Sequence, residues 1–260
     1  VDLIKHDQQA LVANFIDNAI TINDRLDITD AAAIFRSEDI RFAPVINDFG
    51  ELVGQLNGED IMEIIQDDVD STMRNLAGVS QDDELFAPIL DSAKSRSIWL
   101  GINLGTALLA AAVIGQFEEV LAQVVALAIL MPVVASMGGI AGSQTLTVVI
   151  RGMAMGQIGG SNRIWLLNKE LWVGAINGII WAIIMAGIAQ LWFQDGKISA
   201  VIGCAIAINM TAANVSGISI PLLLKRMNID PALSASVILT TVTDIVGFMS
   251  FLGLASLLIL

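Results

Sequence analysis

The chain has 260 residues, is 55% hydrophobic, carries a formal net charge of −13 and holds one cysteine. Its mean hydropathy of +0.73 excludes an ordinary soluble globule and places most of it in the membrane class. Residues 1–97 hold twenty acids against seven Lys and Arg, whereas 98–260 hold six of each. The negative charge therefore belongs to a soluble segment, which argues against nucleic acid as a partner, because phosphates would be repelled. Cys204 excludes an intrachain disulfide; lying in an apolar run, it is expected to be buried packing.

Residues 1–18, VDLIKHDQQALVANFIDN, mix polar and apolar positions and read as a strand end and a helix. The chain starts at Val1 without an initiator Met or a signal-peptide pattern, so this stretch is expected to be the tail of a truncated, preceding domain. His6 has no cysteine or second histidine beside it and is expected to be an exposed residue rather than a ligand.

Within 19–66, AITIND has a short β pattern, and Ile28, Ala31, Ala32 and Phe35 fall at helical spacing. FAPVIND, the turn-forming FG and ELVGQL form a hairpin signal, and Asn57 stands ahead of the helix GEDIMEIIQ as a cap. This strand–helix–strand–strand–helix order, with PVINDFGELVGQLNGEDI, resembles a CBS domain. Such domains generally act in pairs. In that family a Ser/Thr-x-x-Asp element can hold the ribose of an adenine nucleotide; the matching positions here are Asn57 and Asp60, and because Asn57 departs from the hydroxyl residue, ATP is left open as a cofactor. The alternative for Asp60 is that it favours the positive end of the helix dipole.

Residues 67–97 form an acidic connector in which Met73, Leu76 and Ala77, then Leu85, Ile89 and Leu90, suggest helix broken near Gly78 and Pro88. Asp67, Asp68, Asp70, Asp82 and Asp83 are either simply solvated or bridged by divalent ions that draw neighbouring elements together.

The last part, 98–260, reads as five spans near 98–117, 122–149, 170–193, 198–224 and 233–260, using about 20 residues per crossing. Lys94, Arg96, Arg151, Arg163, Lys169, Lys225 and Arg226 flank one side and Lys197 the other, beside Glu118, Glu119 and Asp195. The positive-inside bias puts the soluble segment in the cytoplasm and the C-terminus outside. Trp99, Trp165, Trp172 and Trp192 lie near span ends as interfacial anchors, and Trp181 sits mid-span. No internal repeat is evident, which argues against an inverted-repeat transporter. The fold class expected is mainly α: a five-helix transmembrane domain preceded by a small α+β cytosolic domain.

Two stretches carry the chemistry. LMPVVASMGGIAGSQTLTVVIRGMAMG, residues 130–156, is apolar enough for a bilayer yet contains Pro132, Gly138, Gly139, Gly142 and several hydroxyls. Its glycines suggest either reachable backbone or close helix packing. In the last span Ser236, Thr240 and Asp244 share one helical face by their i, i+4, i+8 spacing. A carboxylate there costs about 2.5–3.5 kcal/mol on insertion scales, and hydroxyls leading to it read as a cation path. The alternative is a protonated Asp244 hydrogen-bonded between helices. Asn209, Thr211 and Asn214 suit interhelical hydrogen bonds or ion contact, and Asp230, before Pro231, suits a helix cap or a pore mouth.

MPVVASMGGIAGSQTLTVVIRGMAMGQI, PLLLKRMNIDPAL and LTTVTDIVGF look like the signature stretches of the MgtE family of magnesium channels. The order of CBS domains, acidic plug helix and five spans is similar too, and the resemblance covers essentially the whole chain. It implies a homodimer in the plasma (inner) membrane, its pore at the subunit interface and lined chiefly by the second and fifth spans. A cytosolic part would close that pore when Mg²⁺ is abundant. By position, Asp244 matches the family's pore carboxylate, Ser236 a pore-facing position and Asp230 an acidic position at the cytoplasmic mouth. The family's Gly-Gly-Asn-Ala-Gly is here Gly138-Gly139-Ile140-Ala141-Gly142, an apolar side chain near the filter that leaves Co²⁺ or another divalent ion open.

Carbonyls of Gly138 and Gly139 with Asp244, doubled by symmetry, would suit a Mg²⁺ ion that keeps most of its water. Competing readings are H⁺- or Na⁺-coupled transport through Asp244 and a membrane-anchored CBS sensor without transport. An enzyme is not expected: no nucleophile–base pair, Walker loop or hydrolytic metal cluster stands in the sequence.

Overall fold

A computed structural model describes residues 20–76, 86, 88–154, 158 and 162–259. The expected remnant of a preceding domain, His6, Ala77, Leu85, Asp82 and Asp83 lie outside the described residues. The chain divides into two compact units, Val1–Val69 and Asp70–Leu260.

The first unit contains strand β1 (Ile22–Asn23), helix α1 (Ile28–Ser37), strands β2 (Phe42–Ile46) and β3 (Leu52–Asn57), and the start of helix α2 (Gly58–Leu76). The expected element order is therefore present. β1 pairs with β2 in parallel, and β2 with β3 antiparallel, giving the sheet order β1-β2-β3. The β2–β3 turn is held by Asn47, whose Oδ1 accepts from the backbone N–H groups of Phe49 and Glu51, both at 3.0 Å. Gly50 closes it at φ +78°, a conformation that costs a side-chain-bearing residue energy. Ala31, Ala32 and Phe35 of α1 bury against Ile22, Ala43 and Ile61, as the helical spacing requires. Asn57 Oδ1 accepts from Gln55 Nε2 at 3.2 Å.

α2 runs unbroken through residue 66, so the connector does not start with a new helix. Apolar positions at helical spacing on both sides of that point keep the helix going, and no Gly or Pro interrupts it before Leu76.

In the second unit, α3 (Ile89–Gly115) starts directly after Pro88. There follow a short helix α4 (Glu118–Gln123), then α5 (Val125–Ala154), α6 (Arg163–Phe193), α7 (Gly196–Arg226) and α8 (Pro231–Leu258). Five of these helices are long and apolar enough to cross a membrane. α7 is the central one: it packs on α5, α6 and α8, and α3 packs on α8. Leu127, Leu130 and Val134 of α5, Val201, Ile202, Ala205 and Ile206 of α7, and Phe251 and Leu252 of α8 form the main core. A smaller cluster of Leu146, Ile150, Leu224, Ala235 and Leu239 lies toward the α7–α8 turn.

Cys204 is exposed, not buried. An apolar run marks a membrane helix, but its outer face meets an apolar solvent too, so hydropathy alone does not separate that face from the core.

Candidate ion path and a second polar cluster

The glycine-rich stretch is helical throughout α5, with Pro132 accommodated inside it. Gly138 and Gly142 serve close packing, whereas Gly139 has open space beside it. A bilayer penalises unsatisfied backbone groups, so helix is retained wherever side chains allow it. Gly138 is buried; a Cβ there would collide with the Asn209 side chain of α7. Gly247 of α8 faces the same amide, with a Cβ falling 2.6 Å from Asn209 Nδ2. Asn209 is fully buried between them and donates to the Val134 carbonyl at 2.9 Å. Gly142 is likewise pressed on Leu239, and Gly217 on the Gly142 carbonyl.

Gly138 thus faces α7, whereas Gly139 is half-open. Pro132, Ser136, Ser143 and Thr147 are exposed on the same side as Gly139, forming a stripe of small and polar residues along α5. Ser143 Oγ donates to the Gly139 carbonyl and Thr147 Oγ1 to the Ser143 carbonyl, each at 2.8 Å. Ile140 is 55% exposed and turns to the flank of this stripe, lining a cavity between α5, α6 and α7.

On α8, Ser236 and Asp244 are half-buried and Thr240 is exposed. Thr240 Oγ1 donates to the Ser236 carbonyl at 2.9 Å. Asp244 stands thirteen residues from Pro231 and fourteen from Leu258, about 20 Å from either helix end at 1.5 Å per residue. Among the described residues it has neither a hydrogen bond nor a salt bridge. The alternative of an Asp244 hydrogen-bonded between helices of one chain therefore finds no partner.

Asp230 caps α8, its Oδ1 accepting from Ala232 N at 2.9 Å, while Oδ2 accepts from Asn75 Nδ2 of α2 at 3.4 Å. Asn75 is 1% exposed, and its own Oδ1 has no partner among the described residues. On α2, Asp67 and Asp70 are exposed, and the Asp68 side chain lies outside the description. No group of three His, Cys, Asp or Glu side chains that could hold a metal occurs among the described residues. Asp60 is exposed in the first turn of α2. A pocket of about 300 Å³ on the sheet is lined by Phe42, Ala43, Pro44, Leu52, Gly54 and Gln55, without Asn57 or Asp60.

One buried charge is not legible from the sequence. Glu170 is 7% exposed on α6, paired with Lys169 Nζ at 3.1 Å, and its Oε2 lies 3.2 Å from Thr145 Oγ1 of α5. Thr145 Oγ1 is also 2.6 Å from the Asn214 amide of α7. One hydroxyl has one proton to give. With its nitrogen toward Thr145, Asn214 donates to that hydroxyl and to the Ala141 carbonyl at 3.2 Å, and its oxygen accepts from Gly174 N at 3.2 Å. Thr145 then donates to Glu170. Asn214 makes the interhelical bonds anticipated for it, whereas Thr211 bonds back to the Ala207 carbonyl of its own helix. The cavity beside this cluster measures about 350 Å³.

Parts of the chain match known families and proteins. The MgtE family, described as a divalent cation transporter, matches residues 131–254, and the CBS domain matches 12–67. The chain is similar to the magnesium transporter MgtE of Bacillus subtilis, 27% identical over 256 residues, which cover 98% of this chain and 57% of the relative. It is also similar to the magnesium transporter MgtE of Enterococcus faecalis, 28% identical over 257 residues, covering 98% and 56%. For that of Thermus thermophilus the identity is 27% over 261 residues, covering 99% and 58%. The chain spans about half the length of these curated relatives.

Proposed function

We propose that this chain, which matches the MgtE family of divalent cation transporters over residues 131–254 and the CBS domain over 12–67, is a member of that family and that two copies form a Mg²⁺ channel in the plasma (inner) membrane. Its ion path runs along the α5 stripe and the Ser236–Thr240–Asp244 face of α8. The observation that carries this reading is Asp244: a mid-helix carboxylate on a polar, partly open face, with no partner among the described residues. Such a charge is expensive in a bilayer unless it faces water, a counter-charge or an ion. A second copy would bring a second Asp244 to the same axis.

Mg²⁺ dehydrates reluctantly and is typically held by one or two carboxylates with waters retained. Two Asp244 carboxylates with the hydroxyls of Ser236 and Thr240, and with the open backbone around Gly139, fit a hydrated ion. Asp230 stands at the mouth, where it also caps α8. The exposed Asp67 and Asp70, with Asp68, serve as the regulatory acidic site at which Mg²⁺ closes the channel. The basic residues flanking α3, α5, α6 and α7 set the first unit and the connector in the cytoplasm and the C-terminus outside.

Purified chain in liposomes tests this reading, with Mg²⁺ uptake followed in wild type and Asp244→Ala. Uptake that is lost in the variant, while its chromatographic profile is kept, is the expected result. A variant that conducts like wild type, or a wild type that carries no ion, would overturn it. Dependence of the flux on a pH or Na⁺ gradient would replace the channel with coupled transport.

A further inference from the structure

α5 and α6 make little direct contact, and a cavity of about 350 Å³ lined by residues of α5, α6 and α7 lies between them. What bridges them is polar. Thr145 of α5, 4% exposed, donates to the Glu170 carboxylate of α6, which Lys169 neutralises and which the Asn214 network of α7 backs. Gly174 makes room for this arrangement, because a Cβ there would collide with the Asn214 side chain.

A buried carboxylate at this place is costly, and an apolar side chain of similar size would fill the helix seam at less expense. Its retention is explained by geometry on the other side of α5. Thr145 follows Ser143 by two residues, which at about 100° per residue puts it roughly 200° around the helix from the Gly139–Ser143–Thr147 stripe. Drawing Thr145 back toward α6 and α7 therefore turns the stripe outward. The cavity beyond leaves α5 room to rotate when that draw is released.

We propose that Glu170 and Thr145 are positioning residues for ion transport: their hydrogen bond is a latch fixing the rotation of α5 and hence the orientation of the stripe. This rests on the reading of the α5 stripe as part of the ion path. Neither side chain touches the ion. Glu170 acts through Thr145, and Thr145 acts through the turn of α5 that carries Ser143.

The test reads rotation and flux separately. Cys204→Ser provides a cysteine-free chain, into which Ser143→Cys (stripe) or Ile140→Cys (cavity flank) is introduced. The full chain in liposomes is treated with a charged, water-soluble methanethiosulfonate. The latch predicts that Thr145→Val, nearly isosteric, lowers the modification rate at Ser143→Cys relative to Ile140→Cys by about tenfold, the order of one hydrogen bond to a charged group. Thr145→Ser, which keeps the hydroxyl, restores the ratio, and Glu170→Gln shifts it in the same direction as Thr145→Val. Mg²⁺ uptake follows the ratio: reduced in Thr145→Val and recovered in Thr145→Ser.

An unchanged ratio in both Thr145→Val and Glu170→Gln overturns the latch, and so does a Thr145→Ser variant as altered as Thr145→Val. If the ratio shifts as predicted while Asp244→Ala conducts normally, the latch stands and the ion-path reading fails. If Asp244→Ala is inactive and the ratio does not move, the latch alone fails.

Discussion

Asn75, in the last turn of α2, donates a hydrogen bond to the same Asp230 carboxylate that caps the first turn of α8, the helix that carries Asp244. One oxygen holds the helix start and the other holds the last turn of α2, within the acidic connector. The two roles are separable. Asp230→Asn keeps a capping oxygen and is expected to melt like wild type, whereas Asp230→Ala loses it at about 1 kcal/mol. Thermal unfolding in detergent distinguishes the two.

The tether predicts a different phenotype for its donor. Asn75→Ala removes the link to Asp230 and leaves the cap in place. On the proposed closure by internal Mg²⁺, uptake by this variant is expected to persist at levels that would shut the wild type. Identical closure of both proteins would show that the connector does not act on α8 through this bond.

Asn209 fits between Gly138 and Gly247 only because neither has a side chain. Gly138→Ala and Gly247→Ala are each expected to destabilise the protein by about 1–3 kcal/mol through overpacking. Shortening the wedge should relieve this, so Gly138→Ala with Asn209→Ala costs less than the sum of the two single changes. Strict additivity in chemical denaturation would contradict that packing.

Ile140 follows Gly139 in sequence but is turned about 100° around α5 from it, to the Thr147 edge of the stripe, where it lines the cavity. The sequence suggests an apolar residue near the filter that relaxes ion selectivity. The structure leads to the opposite expectation: Ile140→Asn leaves the order of Mg²⁺, Co²⁺ and Ca²⁺ uptake unchanged. A changed order would return Ile140 to the ion path.

Much of the architecture was legible because two periodicities carry it. The short β patterns and the helical spacing of Ala31, Ala32 and Phe35 foretell the first unit, and five apolar runs foretell the spans. Asp244 is legible as a lone carboxylate at the centre of such a run. Glu170 is not, because it follows Lys169 where a span is expected to begin and reads as a solvated interfacial charge. α6 in fact begins at Arg163, which places Glu170 two turns inside the helix and against Thr145. Hydropathy also fails for Cys204, whose face is apolar without being interior. The roles of Gly138 and Gly139 diverge for a related reason: adjacent residues on a helix point to different neighbours, and composition does not say which neighbour each one meets.

The most direct measurement is Mg²⁺ uptake into liposomes by wild type and Asp244→Ala, with internal Mg²⁺ kept low and Co²⁺ and Ca²⁺ run in parallel. A conducting wild type and a silent, properly assembled Asp244→Ala are the predicted pair. Equal uptake by the two proteins would contradict an ion path through Asp244.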